Sequence, residues 1–256
     1  MENDEGEIKI RPLSLRVAGL ILVACIIGAV ANAETPTGTK RQSGQISKKS
    51  AALTREEILE AEQSLSNLGY WTGPIDGKMD PVSHDALIAF QKVEGRKITG
   101  RLTQEELQAI RSASRPLPLE GGDAHVEVDL SRQVLFFVDS NGEVSKILPV
   151  SSGSGEEFTS EGWTRRAVTP TGRFKIYRKV DGWRTAPLGK IYYPNYFLSG
   201  VAIHGSSSVP ARPASHGCIR IPMFAAKEVS QMTPIGTVVI VHDGATLTQA
   251  KSNSQR

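Results

Sequence analysis

The sequence predicts two domains of different class: a small all-α module of three helices, followed by a β-rich, sandwich-like mixed sheet with one or two short helices. Three observations predict this. The 256 residues suffice for two modest domains. Apolar residues recur at helical spacing across residues 52–112. Beyond residue 122 the pattern changes to short alternating or β-branched runs between turn residues, and 24 Gly and 14 Pro supply the turns while excluding a coiled coil. The net charge of +3 gathers in no basic stripe beyond Lys40, Arg41, Lys48 and Lys49, which argues against a nucleic-acid partner. Cys25 and Cys218 are the only cysteines, so no internal disulfide framework is expected.

Residues 17–31 form an apolar run, shorter than the roughly 20 residues a spanning helix needs. Lys9, Arg11 and Arg16 precede it and Ala31-Asn32-Ala33 follows, the three-part pattern of an export signal. Cleavage after Ala33, a retained anchor and lipidation at Cys25 all remain open. Each places the rest of the chain outside the cytoplasm and limits membrane contact to residues 1–33. Residues 34–51, polar and without hydrophobic period, read as a flexible linker.

The first helix opens at Thr54-Arg55-Glu56-Glu57, a capping box, with Ile58, Ala61, Leu65 and Leu68 on one face before Gly69. A turn at residues 73–77 leads to a second helix with Pro81 in its first turn and Val82, Ala86, Leu87 and Phe90 inward. The third starts at a second box, Thr103-Gln104-Glu105-Glu106. Phe90 fits the core, whereas Trp71, beside a Gly-Pro turn, is the candidate platform for a sugar ring. Residues 113–121, with two prolines, read as a semi-rigid spacer. Strands are expected over 125–130, 133–138, 144–150, 173–178, 189–193, 197–204 and 237–241, with an Asn141-Gly142 hairpin turn and a helix over 223–232. The β-rich domain spans 122–243, and 244–256 read as a disordered tail.

The chemistry concentrates in Ala202-Ile203-His204-Gly205 and Ser215-His216-Gly217-Cys218-Ile219-Arg220. A free thiol is mostly protonated at neutral pH, so a nucleophilic Cys needs a base close by, and two histidines are at hand. A nucleophile, a base and backbone N–H donors are what acyl transfer requires. Two other readings compete: a buried structural Cys, and a zinc site in which His125, His242 or water joins His204, His216 and Cys218. The His-x-Cys spacing lacks the paired pattern of zinc sites, so no metal and no cofactor are expected.

Two resemblances follow from these residues. Leu68-Gly69-Tyr70, Gly73, Ile75-Asp76-Gly77, Ala86-Leu87, Phe90-Gln91 and Gly100 resemble the three-helix peptidoglycan-binding domain. Thr169-Pro170-Thr171-Gly172, Tyr193-Pro194-Asn195-Tyr196-Phe197, Ile203-His204-Gly205 and the Ser-His-Gly-Cys stretch resemble the catalytic domain of bacterial L,D-transpeptidases. Ten residues separate His204 from Ser215, fewer than in many members, and Arg220 stands where many carry Asn. The resemblance implies Cys218 as nucleophile, His204 as general base held by the Gly205 carbonyl, His216 as an orienting residue, and the N–H groups of Gly217 and Cys218 as oxyanion donors. It implies substrate contacts from Ser215, Tyr193 and Tyr196, although both tyrosines read first as half-buried strand aromatics. Arg220 reads as a carboxylate clamp or a structural ion pair. The implied reaction joins peptidoglycan stem peptides through 3→3 cross-links, with glycan as a binding partner and carbapenem-type β-lactams as inhibitors. An L,D-carboxypeptidase or endopeptidase using water, or a non-catalytic wall-binding protein, are the alternatives.

Overall fold

The computed structural model describes residues 52–244. The segments read as export signal (1–33) and linker (34–51), and the tail past Gly244, lie outside the described residues. No described helix is long and apolar enough to cross a membrane.

Helix α1 (Arg55–Asn67) starts with a complete capping box: Thr54 Oγ1 accepts the Glu57 N–H at 3.2 Å, and the Glu57 carboxylate accepts the Thr54 N–H at 2.8 Å. Helix α2 (Pro81–Val93) is capped by Asp80, whose Oδ1 accepts the N–H groups of Val82 and Ser83, each at 2.8 Å. Helix α3 (Gln104–Ser112) has half of the expected box. Thr103 caps the Glu106 N–H, but the Glu106 carboxylate turns to Arg96 at 3.0 Å, because a guanidinium is the stronger partner. Fully buried Glu62 ties the module together: Oε2 accepts the N–H groups of Asp76 (3.0 Å) and Gly77 (2.8 Å), and Oε1 accepts the Ser83 hydroxyl (2.6 Å).

The rest is a two-sheet sandwich. Its strands are β1 (His125–Asp129), β2 (Val134–Val138), β3 (Val144–Pro149), β4 (Glu157–Ser160), β5 (Trp163–Arg166), β6 (Gly172–Lys175), β7 (Arg178–Lys179), β8 (Trp183–Ala186), β9 (Gly189–Leu198), β10 (Val201–Ser206), β11 (Ile219–Pro222) and β12 (Val238–His242). One sheet runs β3-β2-β1-β12-β6, the other β11-β10-β9-β7 with β8 also on β9. Both are mixed, since β1–β12 and β10–β11 pair parallel. A 3₁₀ turn (Met223–Ala225) and helix α4 (Ala226–Met232) cover the core between them. The strand expected over 197–204 is broken by a turn at Ser199-Gly200 into β9 and β10. The β4–β5 hairpin and β8 were not expected. They are almost wholly exposed, so no hydrophobic period marks them.

Side-chain alternation sends β2 into two cores. Leu135 and Phe137 join Val126, Val128, Ile203, Ile219 and Val229 between the sheets. Val134 and Phe136, with Val144 and Ile147, join Leu65, Tyr70, Leu87 and Phe90 of the helices. The helical module therefore packs on the outer face of the first sheet, and its chain also seals the sheet's edge. Ile147 N–H donates to the Gly69 carbonyl at 2.8 Å and Trp71 N–H to the Ile147 carbonyl at 3.2 Å. The spacer is fastened too: Arg115 reaches the carbonyls of Val144 and Asn67, and the N–H groups of Leu119 and Glu120 lie on the buried Glu127 carboxylate.

Trp71 is thereby corrected as a sugar platform. It stands edge-on to Phe224 at 6.5 Å and under the Lys146 ammonium at 4.5 Å, inside the joint between module and sheet. Phe90 is a core residue, edge-on to Tyr70 at 5.7 Å.

Lys92 bolts the joint. Its buried ammonium donates to the carbonyls of Gln133 and Val150, each at 3.0 Å, and burial lowers its pKa to about 8. The unfolded chain thus holds this proton to higher pH than the folded one, so the folded state gains stability as pH rises from about 8 toward 10.5. Thermal melts across that window are expected to show wild type gaining relative to Lys92→Met, by a total of about 3 kcal/mol at most.

Candidate active site

His204 and Cys218 come together because β10 and β11 lie side by side. The parallel register sets Ile203 opposite Ile219 and His204 opposite Arg220, and Cys218 is the residue just before β11. Apolar Ile203 and Ile219 anchor both strands in the sandwich core, leaving the polar residues at their ends to line a cleft of about 470 Å³. His204, Ser215, His216, Gly217, Cys218, Arg220 and Tyr196 all border that cleft.

The His204 ring is buried, and its Nδ1 lies 2.9 Å from the Gly205 carbonyl. A carbonyl only accepts, so Nδ1 carries the proton and Nε2 keeps its lone pair in the neutral ring. Burial pushes the His204 pKa below the ordinary imidazole value; the Gly205 carbonyl opposes this and the Arg220 charge adds to it. Gly205 itself must be Gly, since a Cβ there would stand 2.6 Å from Ala226 Cβ.

Cys218 is half-buried, with its thiol 3.6 Å from the Gly200 carbonyl. Burial pushes the thiol pKa up, against the Ala202 backbone and the Arg220 guanidinium, which favour the thiolate. Both shifts favour a neutral thiol beside a neutral imidazole at rest.

The loop ahead of Cys218 is stapled by two hydroxyls. Ser215 Oγ donates to the Cys218 carbonyl at 2.5 Å and accepts the Gly217 N–H at 3.0 Å. Thr169 Oγ1 donates to the Gly217 carbonyl at 2.7 Å and accepts the Gly153 N–H at 2.9 Å. Two expectations change as a result. The Gly217 N–H is already given to Ser215, so it is committed away from an oxyanion, and Ser215 holds the loop rather than facing substrate with a free hydroxyl. Gly217 sits at φ +130°, with an added Cβ 2.9 Å from the Val168 carbonyl. Gly217→Ala is expected to cost about 1–3 kcal/mol of stability, read by thermal unfolding, and to slow alkylation of Cys218.

His216 is exposed, its ring edge-on to Phe158 at 4.7 Å. Tyr196 is buried beneath the Arg178 guanidinium, 4.1 Å from the ring centre. Tyr193 does not border the cleft: at φ +47° it packs on the sandwich core and edge-on to Tyr192. Arg220 has no carboxylate within ion-pair distance among the described residues, so the structural ion pair expected as one alternative is not formed. His125 and His242 do not border the cleft; His125 lies 3.0 Å from Glu127. Thr169, Phe158, Arg165, Arg178 and Arg184 were not singled out from sequence as site residues. Thr169 lay in a quoted motif; Phe158, Arg165 and Arg184 sit on exposed hairpins and Arg178 on the two-residue strand β7, none with a local signal for a site.

Comparison with known proteins finds matches for both domains. Residues 123–241 match the family model of the L,D-transpeptidase catalytic domain, and residues 54–110 match that of a peptidoglycan binding domain. No curated protein matches the chain. Among solved structures, an L,D-transpeptidase from Xylanimonas cellulosilytica is 38% identical, with a TM-score of 0.69 over 73% of this chain and 93% of that one. An L,D-transpeptidase from Stackebrandtia nassauensis is 23% identical, with a TM-score of 0.42 over 73% of this chain and 91% of that one.

Proposed function

The chain belongs to the L,D-transpeptidase family and carries a peptidoglycan-binding domain ahead of the catalytic one, and from that premise we propose that it forms 3→3 cross-links between peptidoglycan stem peptides in the cell envelope. The observation that carries the proposal is a single cleft bordered by a thiol and by an imidazole whose Nδ1 is fixed on a carbonyl.

His204 Nε2 takes the thiol proton as Cys218 Sγ attacks the carbonyl carbon of the third residue of a tetrapeptide stem. The carbonyl oxygen becomes an oxyanion, and its loop donor is the backbone N–H of Cys218, since that of Gly217 is spent on Ser215. Collapse breaks the amide C–N bond. The His204 imidazolium protonates the departing D-Ala amine, leaving a thioester on Cys218. An amine of a neighbouring stem then attacks the thioester carbonyl, His204 accepts its proton, and the sulfur leaves and is reprotonated. His216, exposed at the rim, orients the incoming groups. A β-lactam of the carbapenem type opens on the same sulfur, its ring nitrogen taking the proton in place of the D-Ala amine.

The helical module is fastened to the catalytic sheet, so glycan held there sets the position of the cleft as well as raising the local concentration of stems. The apolar run at residues 17–31 and its basic flank support export. The test is product analysis: residues 34–256 incubated with disaccharide-tetrapeptide are expected to release D-Ala and yield a cross-linked dimer by mass spectrometry. Tripeptide monomer as the sole product would replace transfer with hydrolysis.

A further inference from the structure

The cleft is far more cationic than one peptide terminus requires. Arg165, Arg178, Arg184 and Arg220 border it, Lys190 edges it, and Glu161 is the one acid among its lining residues. Strand register places each arginine on the cleft face. Arg165 lies opposite Phe158, Arg178 opposite Tyr196, Arg184 opposite Ile191 and Arg220 opposite His204, and every one of those partners borders the cleft. Among the described residues, none of the four guanidinium groups is within ion-pair distance of a carboxylate. Arg178 is held by the Tyr196 ring instead. Arg165 and Arg184 stand on separate exposed hairpins, β4–β5 and β8–β9, so no shared fold element explains their convergence.

A departing D-Ala brings one carboxylate, which one guanidinium satisfies bidentately. Four guanidinium groups in one cleft match a polyanionic ligand. We propose that this cleft selects an acyl donor stem that keeps free carboxylates on the residues before the scissile bond. It would discriminate against stems whose carboxylates are amidated and against stems with a cationic third side chain. Arg165 and Arg184 are the specificity-determining residues, and they act on donor capture rather than on the sulfur. The inference rests on the transpeptidase reading of the same cleft. Desolvation inside a cleft bordered by like charges strengthens the discrimination, and the steering it produces weakens with salt.

The test compares two synthetic tetrapeptide stems, identical except that one has its internal carboxylates converted to carboxamides. The rate of acyl-enzyme formation is followed by intact mass at low and high ionic strength. Wild type is expected to prefer the free-carboxylate stem by about tenfold at low salt, the preference shrinking at high salt. The Arg165→Gln/Arg184→Gln double variant, altered only at exposed positions, is expected to lose most of that preference. Alkylation of Cys218 by uncharged iodoacetamide, run in parallel, reads the thiol itself. Equal acylation by both stems in wild type, or a preference unchanged in the double variant, would overturn the proposal while leaving the transpeptidase reading standing. No acyl-enzyme from either stem, with the thiol still alkylated, would overturn both.

Discussion

Cys218→Ala is expected to abolish acylation. Wild-type protein incubated with tetrapeptide stem or with a carbapenem should gain the mass of the acyl group, and the variant should gain none. Turnover should fall by on the order of 10⁴-fold or more, because a methyl group can neither bond the acyl carbon nor leave from it. The fold should survive. The Cys218 side chain is half-buried and its polar contacts are to backbone alone, the Gly200 carbonyl at 3.6 Å and the Ala202 backbone, while the loop is held by Ser215 and Thr169. A melting temperature near that of wild type together with a lost adduct assigns the effect to chemistry. An adduct persisting in the variant would place the nucleophile elsewhere and end the proposed mechanism.

His204→Ala is expected to lower kcat/KM by about 10²- to 10⁴-fold, the range for losing a positioned general base. The pH dependence gives the sharper test. A base works when neutral, and burial lowers the His204 pKa, so wild-type activity should persist below pH 6.5 and fall only as pH drops through the depressed value. The thiol, whose pKa burial raises, stays protonated through neutral pH, so without the imidazole its reactivity should climb only in the alkaline range. Iodoacetamide alkylation across pH 5–10 should therefore lose its acid limb in His204→Ala and keep a single rise above the ordinary thiol range. Superimposable profiles for the two proteins would remove His204 from the role of base. Since the variant also strips the Gly205 carbonyl of its partner, rates are to be compared where melts show both proteins folded.

Much of the site was legible in sequence because its parts are close along the chain. His204, Gly205 and residues 215–220 fall within one short stretch, and their chemistry needs only that β10 and β11 lie side by side. The caps were legible for the same reason, being contests among neighbouring residues. The reading failed where one group had two possible partners: Arg96, ten residues back, drew Glu106 out of its capping box, and Ser215, only two residues away, took the Gly217 N–H assigned to the oxyanion. Tyr193 and Tyr196 are three residues apart on one strand. Strand alternation sends residues three apart to opposite faces, so the first packs on the core while the second borders the cleft, and the sequence alone did not say which face was which.

The sequence by itself determined the two classes of element and the order of the domains, since each follows from local period and capping chemistry, and its short motifs pointed to the residues proposed to react. The tertiary structure decided how the domains meet and what the cleft prefers. The run VLFFV in β2 signals burial on both faces, but local period does not say what lies on the second face. That face is covered by Leu65, Tyr70, Leu87 and Phe90, dozens of residues earlier, and Lys92 closes the joint at distances no spacing rule encodes. The four arginines come from four separate strands, and only Arg220 stands in a stretch that the sequence marks out. They form a charged wall only when β7, β11 and the two exposed hairpins come together at one cleft, because electrostatic fields add through space and not along the chain.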